Sequence, residues 1–200
     1  MKPLRFILPL FIFVALCGLF FIGLGKDSQY LPSALIGEQA PKFTLTSLET
    51  SPNNAGSTFN TDNTINQEVF KDKKSIVNIW ASWCAACRIE HPFFNQISKH
   101  TDWQIIGLNY KDESHLAVEW LDEMKNPYHK IIFDPKGSLG LDLGVYGVPE
   151  TFLLDENGVI RYKHTGPICP AIIANVFDPF FNNKHFNVCL LYTSPSPRDS

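Results

Sequence analysis

SIVNIWASWCAACRIEHP, residues 75–92, decides how this chain is read. Ile76–Trp80 is a largely apolar, largely β-branched run, the pattern of a strand covered on both faces. A short turn follows, then Cys84 and Cys87, and a helix is predicted from there to about His100. Cysteines three apart at a helix start can close a disulfide with little backbone movement. They can also reopen it, because the helix dipole favours a thiolate on the first of them. A C-x-x-C after a strand and before a helix therefore reads as a redox-active dithiol. Structural zinc needs four ligands, and no second C-x-x-C exists here. Covalent haem attachment needs C-x-x-C-H, and Arg88 stands at the histidine position.

The predicted helix has Ile89, Phe93, Phe94 and Ile97 as its apolar face, and Pro92 predicts a kink. Before the central strand, Lys42–Leu48 alternates as a strand, Glu49–Thr64 is a polar insertion, and Ile65–Phe70 reads as a short helix. After it come a strand at Gln104–Leu108 and a helix capped by Asp112 or Ser114. That helix carries Leu116, Val118, Trp120, Leu121 and Met124 as its apolar residues. Ile131–Phe133 is a short strand, Ser138–Leu143 a short helix. Glu150–Leu154 and Val159–His164 flank a Glu156-Asn157-Gly158 hairpin turn, and Ala171–Phe181 closes the domain as a helix. Strands alternating with helices and ending in a hairpin imply an α/β architecture with a central mixed sheet flanked by helices.

The N-terminus is different in kind. Lys2 and Arg5 precede Phe6–Leu24, 19 residues without a charge. That is the length of a membrane-spanning helix, and it exceeds the apolar core of an ordinary cleaved signal. The chain divides into an anchor at 1–24, a linker at 25–36 and one domain at 37–182. Lys2 and Arg5 place the start in the cytoplasm and the domain outside it. Residues 189–200, CLLYTSPSPRDS, break with the composition before them and read as a non-native tail. With 44% hydrophobic residues and 16 phenylalanines, the rest can fill a core, and a net charge of -3 excludes a nucleic-acid footprint. Of the remaining cysteines, Cys17 reads as a small apolar residue of the anchor, Cys169 has no visible partner and reads as structural, and Cys189 belongs to the tail.

Five segments together resemble a known family. They are W-x-x-W-C-x-x-C-R-x-E-H-P at Trp80–Pro92, N-Y-K-D at Asn109–Asp112 and N-P-Y at Asn126–Tyr128. With them go G-L-D-L-G-V-Y-G-V-P-E-T-F at Gly140–Phe152 and R-Y-K-H-T-G at Arg161–Gly166. This pattern is similar to that of the DsbE (CcmG) proteins, membrane-anchored periplasmic thioredoxin-like proteins of cytochrome c maturation. Ala85-Ala86 between the cysteines departs from the family, which often has proline first.

The resemblance implies a thioredoxin-like fold and a thiol:disulfide oxidoreductase held in the bacterial inner membrane, its domain in the periplasm. It would work as a reductase, with Cys84 attacking and Cys87 resolving. The implied client is apocytochrome c or a maturation partner, and the implied electron donor is a DsbD-type transmembrane reductase. No metal or organic cofactor is required. Pro149 is expected to be cis, and Trp83, Val148 and Pro149 to contact the client. Glu90 and Glu150 are expected to make the site acidic and to tune its thiols, although each alone would read as a solvated surface residue. His91 reads as a surface histidine, and Tyr110, Tyr128 and Tyr146 as core or rim. Three rivals differ in kind: a general disulfide reductase or isomerase, a peroxiredoxin-type peroxidase, and a non-catalytic chaperone or haem-binding module.

Overall fold

The computed structural model describes residues 11–18, 35–48 and 63–181. The chain splits into two units, Met1–Pro32 and Ser33–Ser200. In the first, residues 11–18 are helical. Most of the expected anchor lies outside the described residues, among which no helix is long and apolar enough to cross a membrane. The expected insertion (all but its last two residues) and the tail at 189–200 also lie outside them.

The second unit is built on one seven-stranded sheet. Its strands are β1 (Thr44–Ser47), β2 (Thr64–Asn66), β3 (Ser75–Trp80), β4 (Gln104–Tyr110), β5 (Lys130–Asp134), β6 (Glu150–Leu154) and β7 (Ile160–Thr165). The spatial order is β2-β1-β5-β4-β3-β6-β7. β3 sits parallel to β4 and antiparallel to β6. Every residue of β3 is buried, the apolar ones and also Ser75 and Asn78. The short helix expected over Ile65–Phe70 is only half right. Thr64–Asn66 pairs antiparallel with β1, and a 3-10 turn takes Gln67–Phe70, capped by Asn66.

Side chains alternate across a strand, so the sheet has two cores. Ile76, Trp80, Ile105 and Leu153 face α1 (Ala85–His100), α2 (Ser114–Met124) and a closing helical segment at 170–180. Val77, Ile79, Leu108 and Phe152 face the short α3 (Ser138–Asp142), where Leu139 and Leu143 cover them. The closing segment is α-helical at Pro170–Ile172, passes through a π-helical stretch at Ile173–Phe177 and returns at Asp178–Phe180. Pro179 has no N–H to donate to an upstream carbonyl, so an uninterrupted α-helix could not close its ladder here.

α1 runs through Pro92. Its buried face is Cys87, Glu90, His91, Phe94 and Ile97, whereas Ile89 is 67% exposed. The expected apolar stripe is thus corrected at its first position. The helix turns a carboxyl and an imidazole into the core instead of Ile89. Asp112 does not cap α2, whose N-cap is Glu113 with no side-chain bond.

Candidate active site

Cys84 and Cys87 are joined as a disulfide where β3 gives way to α1, their Cα atoms 5.3 Å apart. Cys84 is the N-cap of α1. Its Sγ accepts a hydrogen bond from the Cys87 N–H at 3.0 Å. A helix leaves its first amides unsatisfied, and one of them here points at sulfur. Both cysteines are buried, so reactivity depends on the loops around them.

The turn before Cys84 is held by Asp112, in the β4–α2 loop. Its Oδ2 accepts from the Ser82 N–H at 2.6 Å and from Asn109 Nδ2 at 2.9 Å. Its Oδ1 accepts from Ser82 Oγ at 2.7 Å and from the Glu113 N–H at 2.9 Å. Trp83 donates from Nε1 to the Lys111 carbonyl at 3.0 Å, and its ring is 60% exposed beside Cys84. The side chain expected to cap a helix clamps the redox turn instead.

Below the disulfide, Glu90 is one helical turn past Cys87 and 1% exposed. Its Oε1 accepts from Asn78 Nδ2 at 2.7 Å and its Oε2 from the Ile168 N–H at 2.9 Å. Burial raises its pKa to about 7, against the opposing effect of these two donors. Asn78 is oriented in turn by Tyr128, whose hydroxyl donates to Asn78 Oδ1 at 2.8 Å. Burial, and then the nearby Glu90 carboxylate, push the Tyr128 hydroxyl well above its usual pKa. A polar residue inside an all-buried strand needs partners, so Asn78 was the signal in the sequence for this network.

His91 is not on the surface. It is 1% exposed, meets the Trp120 ring edge-on at 4.3 Å between centroids, and bonds through Nε2 to the Lys125 carbonyl at 2.7 Å. Burial lowers its pKa to about 4. Trp80 stacks between Trp120 and Tyr128, at 4.7 and 5.7 Å between centroids. Gly107 makes room for them, because a Cβ there would lie 2.8 Å from Trp80 Nε1. Tyr128 therefore belongs to this core, while Tyr146 is 73% exposed.

The second wall is the loop Gly144–Pro149. The Val148–Pro149 peptide bond is cis, and the Pro149 carbonyl accepts from the Gly166 N–H at 2.9 Å. Val148 is half-buried and touches both cores. Glu150 is fully buried but does not join Glu90. It pairs with Ile79 across the sheet and shares a face with Phe152, so it lies on the α3 side while Glu90 lies on the α1 side. Its partner is Lys163, 3.0 Å from Oε2, which sequence reasoning missed. Lys163 gave no signal by itself, since an alternating strand allots lysine to the solvent. Cys169 is exposed at the start of the closing segment, next to the residue that donates to Glu90. Among the described residues no group of acidic, histidine and cysteine side chains could hold a metal ion.

The Redoxin family model matches residues 35–176. A relative in Escherichia coli (strain K12), the thiol:disulfide interchange protein DsbE, is 41% identical over 186 residues, covering 90% of this chain and 95% of its own. The DsbE protein of Yersinia pestis is 46% identical over 167 residues, covering 80% and 83%. A crystal structure of a DsbE-type thiol:disulfide interchange protein from Chlorobium tepidum superposes with a TM-score of 0.54 at 26% identity, covering 66% of this chain and 86% of that one.

Proposed function

Because the chain belongs to the DsbE family of thiol:disulfide interchange proteins and carries a Redoxin domain, we propose that it is the periplasmic reductant of cytochrome c assembly. Its thioredoxin-like fold and its Cys84–Cys87 pair make it a thiol:disulfide oxidoreductase. The observation that carries the exchange chemistry is the Cys84–Cys87 pair at the start of α1, with the buried Glu90 one turn beyond Cys87 on the same helix face.

In the reduced protein Cys84 is the attacking thiolate, favoured by the Cys87 amide and the start of α1. It attacks one sulfur of the client disulfide. A Cys84–client bond forms, and the other client sulfur leaves as a thiolate and takes up a proton. Cys87 must then lose its own proton to become a nucleophile. Glu90, with a pKa of about 7, is suited to accept it at neutral pH. The Cys87 thiolate attacks Cys84 Sγ, and the second client sulfur is released. The client has gained two electrons, and the protein returns to the disulfide form. A transmembrane thiol reductase of the DsbD type would restore the dithiol.

The uncharged span 6–24 supports an inner-membrane anchor with the domain in the periplasm. There an oxidising environment makes a dedicated reductant necessary for the C-x-x-C-H thiols of apocytochrome c. Client backbone would lie along the Gly144–Pro149 loop, with Trp83 opposite.

Trapping tests the whole reading. Cys87→Ser stalls the reaction at the mixed disulfide, and mass spectrometry should identify an apocytochrome c or a maturation thiol protein bound to Cys84. Normal cytochrome c maturation in cells whose only copy is Cys84→Ser/Cys87→Ser would overturn it and favour a non-catalytic role.

A further inference from the structure

Lys163 sits in β7 with its side chain 4% exposed, and Glu150 beside it is fully buried. The ammonium reaches three points of one loop. It donates to the Gly144 carbonyl at 2.7 Å, where the loop begins. It lies 4.5 Å from the centroid of the Tyr146 ring, at the loop's middle. It pairs with Glu150 Oε2 at 3.0 Å, just past the cis-proline. Glu150 turns its other oxygen back to the same loop and accepts from the Tyr146 N–H at 3.1 Å. Underneath, the Phe152 ring closes the site at 5.3 Å from the ammonium.

Stability does not account for this arrangement. A buried ion pair gains little over an apolar pair of the same size, because desolvating both charges offsets their attraction. What the pair supplies is direction. A cation with several donors and a ring over it fixes three loop positions at once, which a methyl group could not do.

We propose that Lys163 and Glu150 form a positioning pair that sets the Gly144–Pro149 loop in the shape that receives an extended client segment. Glu150 then acts on the loop and carries no proton in the exchange. The proposal rests on the reading of this loop as the client-binding wall. It predicts an effect on client recognition that leaves thiol chemistry in place.

The test uses the full chain with dithiothreitol as electron donor and two substrates, a peptide containing one disulfide and bis(2-hydroxyethyl) disulfide. Lys163→Met keeps the packing volume and removes the cation. It should raise KM for the peptide about tenfold while kcat stays within about threefold. The ratio of peptide to small-disulfide turnover at low concentration should fall about tenfold. Lys163→Arg, which keeps the charge and the donors, should return KM to within about threefold of wild type. Lys163→Met/Glu150→Gln removes both buried charges. It should fold even if the unpaired carboxylate prevents the single variant from folding, and it should show the same rise in KM.

An unchanged KM in the double variant, or a fall in kcat alone, would overturn the positioning role. Failure of Arg to rescue would do the same, by assigning the effect to packing. If the wild-type protein reduces neither substrate, the oxidoreductase reading falls, and this proposal with it.

Discussion

Glu90 and His91 are adjacent, both buried, and displaced in opposite directions. An unfolded glutamate loses its proton near 4.5 and folded Glu90 near 7, because burial penalises the carboxylate. Its folded-state pKa is raised, so its contribution to stability is full at low pH and declines as pH rises from about 4.5 to 7. Burial instead keeps folded His91 neutral down to about 4, where an unfolded histidine would protonate near 6.5. Its contribution is full above 6.5 and declines as pH falls toward 4. Between 4.5 and 6.5 the two slopes, each about 1.4 kcal/mol per pH unit, run against each other. Relative to wild type, Glu90→Gln should therefore become steadily more stable as pH is raised through this window. His91→Gln should become more stable as pH is lowered. Urea denaturation of the oxidised protein at several pH values reads both, and parallel curves for variant and wild type would contradict the assignment. Little of this was visible in the sequence. The buried face of α1 mixes Cys87, Glu90 and His91 with Phe94 and Ile97, and Ile89 competes for the same stripe on hydropathy alone.

At the scale of elements, the β4–α2 loop does more than join a strand to a helix. Asp112, 7% exposed, accepts four hydrogen bonds, two of them from Ser82 in the turn that presents Cys84. Asp112→Ala leaves the buried Asn109 amide and the Ser82 amide without their acceptor. It should cost about 2 to 6 kcal/mol, since each stranded buried group costs about 1–3. Amide hydrogen exchange should locate the loss, with faster exchange at Ser82 and Trp83 and little change in β6. Uniform destabilisation with no local change at the turn would argue against the clamp. The elements themselves were legible where periodicity was long: β3, α1, α2 and the β6–β7 hairpin fall where the pattern put them. β2 was not, because three residues carry no period that separates a strand from a turn of helix. The partners of Asn78, Asp112 and Lys163 were out of reach for another reason. Those of Asn78 lie 12 to 73 residues away in the chain, Ser82 lies 30 from Asp112, and those of Lys163 lie 13 to 19 away.

Across the whole molecule, the closing segment ties the chain's far end to its chemistry. Ile168 delivers a backbone N–H to Glu90, and Ile173 and Phe177 are fully buried in the core shared with Cys84 and Cys87. Phe177→Ala should cost about 3–5 kcal/mol, as for other large core truncations. The same change loosens what holds Ile168, so the pH dependence of Cys87 reactivity should shift along with the denaturation midpoint. A variant that loses stability with an unchanged titration would separate the two. Resemblance to a known family anticipated the cis bond before Pro149, whereas the Cys84–Cys87 pair was legible from its spacing alone. The opposite placement of Glu90 and Glu150 followed only once the register of β6 against β3 was known. The Cys87 amide that donates to Cys84 Sγ is the same donor a thiolate at that position would use. The attacking sulfur of the reduced protein would therefore find a hydrogen-bond donor already waiting at the start of α1, so opening the disulfide asks the turn for no new partner.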